Sequence, residues 1–118
     1  MAGGPSTPQL AAAVSEAGGL GFLAAGYTSP DRLRADLEAT TGRTTAPFGV
    51  NLFVPSSSTA PEEDVARYRD RLSQSAARWG IEPGPAQHDD DAWHDKIALL
   101  LAHPVPVVSF TFGLPEVE

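Results

Sequence analysis

Asn51 stands inside an apolar run, Phe48-Gly49-Val50-Asn51-Leu52-Phe53-Val54. Asn is disfavoured in strands, and an amide held within a sheet must find hydrogen-bond partners. A ligand and a neighbouring backbone both qualify. Met1-Ala2-Gly3-Gly4-Pro5 is the second candidate. Consecutive glycines let backbone come close to a flat ligand or a phosphate, although an ordinary strand-to-helix turn has the same composition. Gly19-Leu20-Gly21-Phe22-Leu23-Ala24 spells the G-x-G-x-x-G/A string of dinucleotide-binding proteins. That string works only after a strand and before a helix. Here a helix precedes it and a strand follows, so a tight turn with close helix packing is expected instead.

The histidines offer little. His88 lies beside Asp89, Asp90 and Asp91, and His94 precedes Asp95. Positions 88 and 94 do not share a helix face, so an acidic, solvated helix entrance is expected rather than a metal site. His103 comes before the last strand, on the side of a barrel that serves stability, and is expected to cap the fourth helix. No Ser/His/Asp arrangement is visible. Absence of Cys excludes a disulfide framework, a thiolate metal site and a thiol nucleophile.

Pro and Gly punctuate the elements that must position these residues. Ser6-Thr7-Pro8-Gln9 opens a first helix, with Ser6 as the expected cap; Gly18-Gly19 stops it. Leu20 to Ala25 is a short buried strand. Ser29-Pro30-Asp31 opens a second helix carrying Leu33 and Leu37, and Gly42 ends it. Phe48 to Val54 is the next strand. Pro61-Glu62-Glu63-Asp64 opens a third helix, with acids at the positive end of its dipole. Val65, Tyr68, Leu72, Ala76 and Trp79 form its expected apolar face, and Gly80 ends it. Trp93, Ile97, Leu100 and Leu101 mark a fourth helix closed by His103-Pro104. Val105 to Phe112 is a last strand. Helices alternating with strands indicate an α/β fold with parallel strands and flanking helices. The turn before the first helix implies that the chain begins at the exit of a strand.

Strand side chains alternate between faces. Phe48, Val50, Leu52 and Val54 should pack on helices, leaving Gly49, Asn51 and Phe53 on the other face. On the last strand Val108, Phe110 and Phe112 oppose Val107, Ser109, Thr111 and Gly113. Small and polar residues gather toward the C-terminal strand ends, where α/β barrels and open sheets bind ligands.

Composition sets outer bounds. In 118 residues, 42% are apolar and 19% charged, which is globular usage. A formal net charge of −7 opposes nucleic-acid binding, which needs a basic surface. No apolar run reaches the ~18–20 residues that span a membrane. No signal peptide is visible at the N-terminus, and a cytoplasmic protein fits the absence of Cys.

Four blocks together resemble the N-terminal part of nitronate monooxygenases, formerly 2-nitropropane dioxygenases. They are Met1 to Pro8, Ala11 to Gly26, Phe48 to Phe53 and Val108 to Gly113. FMN-dependent enoyl-acyl carrier protein reductases share the Gly-Gly-Leu-Gly turn and fit the other blocks less well. The resemblance implies a partial TIM-type (β/α)8 barrel over residues 1–118, roughly the first half, with FMN at the C-terminal strand ends. It implies that Met1, Ala2 and Gly3 line the flavin from the first strand exit and that Asn51 hydrogen-bonds it. Phe110 to Gly113 would stand at a further strand exit.

The implied chemistry is oxidative denitrification, in which an alkyl nitronate and dioxygen give a carbonyl compound and nitrite. The family's catalytic His and its FMN-phosphate loops match nothing here, so no catalytic residue is assigned in this chain. A TIM barrel takes ~250 residues, so the chain is expected to be inactive alone. The remaining alternative is a non-catalytic remnant that self-associates, or binds a partner, through its incomplete barrel.

Overall fold

The computed structural model describes residues 2–56 and 60–115. The elements are α1 (Pro8–Glu16), β1 (Gly21–Ala24), α2 (Pro30–Thr41), β2 (Phe48–Phe53), α3 (Glu62–Ala76), a 3-10 turn (Ala77–Trp79), α4 (Trp93–Ala102) and β3 (Val107–Thr111). Two compact units result: residues up to Pro55 together with those from Asp90 on, and Ser56–Asp89.

The first unit contains the sheet, with strand order β1-β2-β3 and both pairings parallel. Ala24 pairs with Asn51, and Asn51 with Ser109. Leu23, Val50 and Leu52 point to one face and join Ala11, Leu33, Leu37, Leu99 and Leu100 in the core. Val108 and Phe110 pack against that cluster from β3. Each fully buried aliphatic side chain contributes about 1.5–3 kcal/mol relative to exposure, so this sheet-on-helix layer holds the unit together.

Local chemistry sets the boundaries. Thr7, not Ser6, caps α1, accepting from the Leu10 amide at 3.2 Å. Pro8 at the first helical position makes Thr7 the residue whose side chain reaches the open amides. α2 opens where expected, and Ser29 caps it, accepting from the Arg32 amide. β3 begins at Val107 rather than Val105, because Pro106 has no N–H for the ladder. It ends before Phe112, whose φ of 74° leaves the extended region.

Gly21 explains the approach of α1 to the sheet. A Cβ there would lie 1.9 Å from the Ala11 carbonyl oxygen. Ser15 ties the same junction, donating to the Pro47 carbonyl at 2.9 Å and accepting from the Gly21 amide at 3.1 Å. The string Gly19 to Ala24 is thus a helix-to-strand junction, as its context predicts.

The second unit differs from expectation. Acids Glu62, Glu63 and Asp64 fill the first turn of α3, yet no residue of that helix is buried. Tyr68, Leu72 and Trp79 are exposed. Amphipathic spacing predicted a buried face, but among its described residues this unit has no sheet of its own to receive one. The α-helix also stops at Ala76, and its last turn tightens to 3-10 before Gly80 at φ 65°.

Candidate functional site

The face of the sheet opposite the core carries Phe22 and Ala24 from β1, Gly49, Asn51 and Phe53 from β2, and Val107, Ser109 and Thr111 from β3. The parallel register ranks them in rows. Phe22, Gly49 and Val107 share one row, and Ala24, Asn51 and Ser109 the next. Phe53 pairs with Thr111 in the row nearest the strand exits. The lowest row is closed by Phe22, whose ring sits where a Cβ on Gly49 would go, with Cε1 only 2.4 Å from that position.

Asn51 is the polar centre of this face and is half-buried. Its Nδ2 donates to Ser109 Oγ at 2.9 Å and approaches the Ser109 carbonyl at 3.4 Å. Thr111 Oγ1 accepts from Nδ2 at 3.1 Å and donates to Oδ1 at 3.3 Å. The three side chains form one amide–hydroxyl cluster across β2 and β3. Sequence alternation placed Ser109 and Thr111 on the correct face; only the register shows that they meet Asn51.

Above the cluster the strand exits are aromatic. The Phe53 ring meets Tyr27 edge-on at 5.3 Å and Phe112 at 4.8 Å. Gly26 makes room for it, since a Cβ there would lie 2.3 Å from the ring. Tyr27 and Phe112 both have positive φ, 60° and 74°, an uncommon conformation for aromatic residues.

The β1 exit is fixed by a group absent from the expected site. Lys96, the chain's single lysine, is 1% exposed. Its Nζ donates to the Ala25 carbonyl at 2.8 Å and pairs with Asp91 Oδ1 at 2.8 Å. The same Asp91 oxygen accepts from the Tyr27 amide at 2.9 Å. Asp91 was expected in a solvated acidic entrance; it is instead half of a largely buried ion pair. Sequence held one signal, a lone lysine on the apolar pattern of α4.

The glycine turn occupies the same end of the molecule. The C-terminal end of α1 is tied to the start of β1 and β2 through Ser15. Nine residues of helix return the N-terminal end of α1 toward the strand exits. Ala2 and Gly3 lie in the turn before it, Ala2 half-buried and Gly3 exposed with φ 86°. Met1 lies outside the described residues.

His103 occupies the C-cap position of α4 at the opposite end of the sheet. Its backbone N–H bonds the Leu99 carbonyl, while ring Nε2 lies 2.9 Å from Arg34 Nη1. The ring therefore joins two helices instead of covering the carbonyls of its own. His88 and His94 are exposed. Among the described residues, no group of three or more His, Cys, Asp or Glu could hold a metal ion, and no helix is long and apolar enough to cross a membrane.

Comparison with known proteins gives this arrangement a family. Residues 1–118 match the nitronate monooxygenase family model. The chain is 41% identical over 114 residues to a probable nitronate monooxygenase of Staphylococcus saprophyticus, covering 96% of this chain and 32% of the relative. It is 38% identical over 116 residues to a probable nitronate monooxygenase of Bacillus subtilis, covering 98% and 33%. Among solved structures it superposes on nitroalkane oxidase from Streptomyces ansochromogenes with a TM-score of 0.89 and 50% identity, over 98% of this chain and 33% of that one. FabK from Thermotoga maritima gives a TM-score of 0.59 and 32% identity, over 96% and 25%. The chain thus spans about a third of the length of the nitronate monooxygenase relatives it matches. Three parallel strands backed by helices, fitted onto the nitroalkane oxidase, are part of a TIM-type barrel. The chain belongs to the nitronate monooxygenase family.

Proposed function

We propose that this segment supplies the cofactor-facing N-terminal strands of an FMN-dependent nitronate monooxygenase. The observation that carries the reading is the Asn51–Ser109–Thr111 cluster. It is a set of amide and hydroxyl groups on the face of the sheet turned away from the core, at the level of Ala24 and below the aromatic strand exits. A polar cluster between the ring of Phe22 and the ring of Phe53 suits a planar heterocycle with an apolar body and a polar edge.

The residues fit the group. Asn51 would bond the polar edge of FMN, while Ala2 and Gly3, with Met1 before them, would line it from the preceding strand exit. Gly3 at φ 86° has nothing within 4 Å of the position a Cβ would take, so its backbone is open to a close neighbour. The chemistry FMN would supply is electron transfer from an alkyl nitronate, with dioxygen taking part and a carbonyl compound and nitrite as products. The tasks of this chain are to bind, orient and shield: Asn51 fixes the polar edge, and Phe53, Tyr27 and Phe112 keep the strand exits apolar. No acid–base residue is assigned in this segment.

The test is nitrite release and oxygen consumption with an alkyl nitronate and FMN. The chain alone is expected to give little or no turnover. The chain joined to the remaining two-thirds of the Bacillus subtilis relative is expected to bind FMN and release nitrite. Oxidation of NAD(P)H with an enoyl thioester, without nitrite release, would favour the enoyl reductase alternative. Absence of flavin binding by the completed barrel would defeat both.

A further inference from the structure

We propose that Ser109 and Thr111 are positioning residues that lock the Asn51 amide in one orientation, so that its Oδ1 is offered to an N–H donor of the ligand. The proposal rests on the FMN reading above and assigns the contact to the N3–H edge of the oxidised isoalloxazine ring.

An Asn amide can lie either way round, and most neighbours tolerate both orientations. Ser109 Oγ, 2.9 Å from Nδ2, is a hydroxyl and can donate or accept. Thr111 Oγ1 faces the end of the amide, 3.1 Å from Nδ2 and 3.3 Å from Oδ1, and can serve both atoms. Neither hydroxyl alone selects an orientation, but together they hold the amide against β3, where the Ser109 carbonyl decides which way round it lies; without them the amide is free to swing away from that carbonyl. The carbonyl lies 3.4 Å from Nδ2 and only accepts. Turning the amide over would set Oδ1 against that carbonyl, acceptor against acceptor, in a half-buried place where such a mismatch is costly.

The consequence is chemical selectivity. Both Nδ2 hydrogens are taken up by β3. Oδ1 can accept two hydrogen bonds and receives one, from Thr111. The spare capacity of Asn51 is therefore that of an acceptor. An oxidised isoalloxazine has several acceptors but a single N–H, at N3. An acceptor-presenting Asn51 takes that edge; a donor-presenting Asn51 would take a carbonyl or a bare ring nitrogen.

The experiment has two readouts. The first is the side-chain amide signal of Asn51 by 15N NMR in the full chain without flavin. A single, ordered signal pair is expected; it should broaden or gain mobility in Ser109→Ala/Thr111→Val and stay as in the parent in Thr111→Ser, which keeps the hydroxyl. The second is a titration with FMN and with 3-methyl-FMN, in the chain alone and joined to the two-thirds that complete it. FMN is expected to bind about 10-fold more tightly than its 3-methyl analogue, the size of one well-made hydrogen bond. That preference should fall below about 2-fold in Asn51→Ala and in Ser109→Ala/Thr111→Val. Equal affinity for the two flavins in the unsubstituted protein, or an Asn51 signal indifferent to both β3 substitutions, overturns the positioning role and leaves the cofactor reading standing. Failure of both flavins to bind the completed barrel overturns the cofactor reading itself, and this assignment with it.

Discussion

Lys96 Nζ lies 2.8 Å from Asp91 Oδ1, and through that oxygen the first turn of α4 holds the exit of β1. The lysine also donates to the Ala25 carbonyl, and the aspartate accepts from the Tyr27 amide. One ion pair thus satisfies two backbone groups of the β1–α2 loop, at the end of the sheet where the polar cluster stands. Its worth lies less in Coulomb attraction than in what removal of either partner would leave behind.

Lys96→Ala should therefore destabilise the chain by about 3 kcal/mol, because it takes the neutralising cation from a largely buried carboxylate and a donor from the Ala25 carbonyl. Asp91→Asn keeps an acceptor for the Tyr27 amide and should cost less than Asp91→Ala. Urea denaturation of the three variants, read by tryptophan fluorescence, checks the order. A Lys96→Ala loss below about 0.5 kcal/mol would show that the pair does not hold the loop.

Gly21→Ala should cost about 3 kcal/mol or more, since its Cβ would fall 1.9 Å from the Ala11 carbonyl oxygen and α1 would have to move. Gly84→Ala, with nothing within 4 Å of its Cβ, should be near neutral. Paired thermal melts of the two variants test the close approach of α1 to the sheet.

Much of the fold was legible because Pro, Gly and capping residues mark element ends locally. Phe48–Phe53 is one residue shorter than expected, and α2 opens at the expected Ser29-Pro30-Asp31 start. The misses share a cause: they depend on neighbours distant in sequence. Lys96 meets a carbonyl 71 positions away. Asn51 meets hydroxyls 58 and 60 positions away, at a register that face alternation cannot supply. The apolar stripe of α3 has helical period, but period says which residues share a face and not whether anything covers it. The candidate site was half legible on the same grounds. Asn51 is conspicuous because an amide is out of place in a strand, whereas Ser109 and Thr111 are unremarkable until paired.

Exposure on α3 gives a direct check. Leu72→Ala and Tyr68→Ala should each change stability by less than about 0.5 kcal/mol, as surface substitutions do. Leu52→Ala, fully buried under the sheet, should cost about 2–5 kcal/mol. Similar losses from Leu72 and Leu52 would mean that α3 packs its apolar face after all.

The two outer strands predict association. Among the described residues β1 and β3 each pair on one side only, and an unpaired strand edge is a template for another chain. Sedimentation velocity of the 118-residue chain should show concentration-dependent self-association. Val107→Lys, which puts a charge on the inner face of β3, should shift the distribution toward monomer. A monomer at all concentrations would show that these edges are protected.

Asn51 offers a way to separate ligand binding from stability. If its amide served the fold, replacing the whole cluster with apolar groups would weaken the chain. If it serves a ligand, the triple variant Asn51→Val/Ser109→Ala/Thr111→Val should be as stable as the parent or more so. The amide and both hydroxyls are removed together, no polar side chain of the cluster is left behind, and Val suits a strand better than Asn. The single Asn51→Val should be less stable than the triple variant by about 1 kcal/mol, because it leaves two hydroxyls without their amide. The triple variant should also lose flavin binding in the completed barrel. Stability retained with binding lost places the cluster at a cofactor contact, and stability lost by several kcal/mol makes it part of the scaffold.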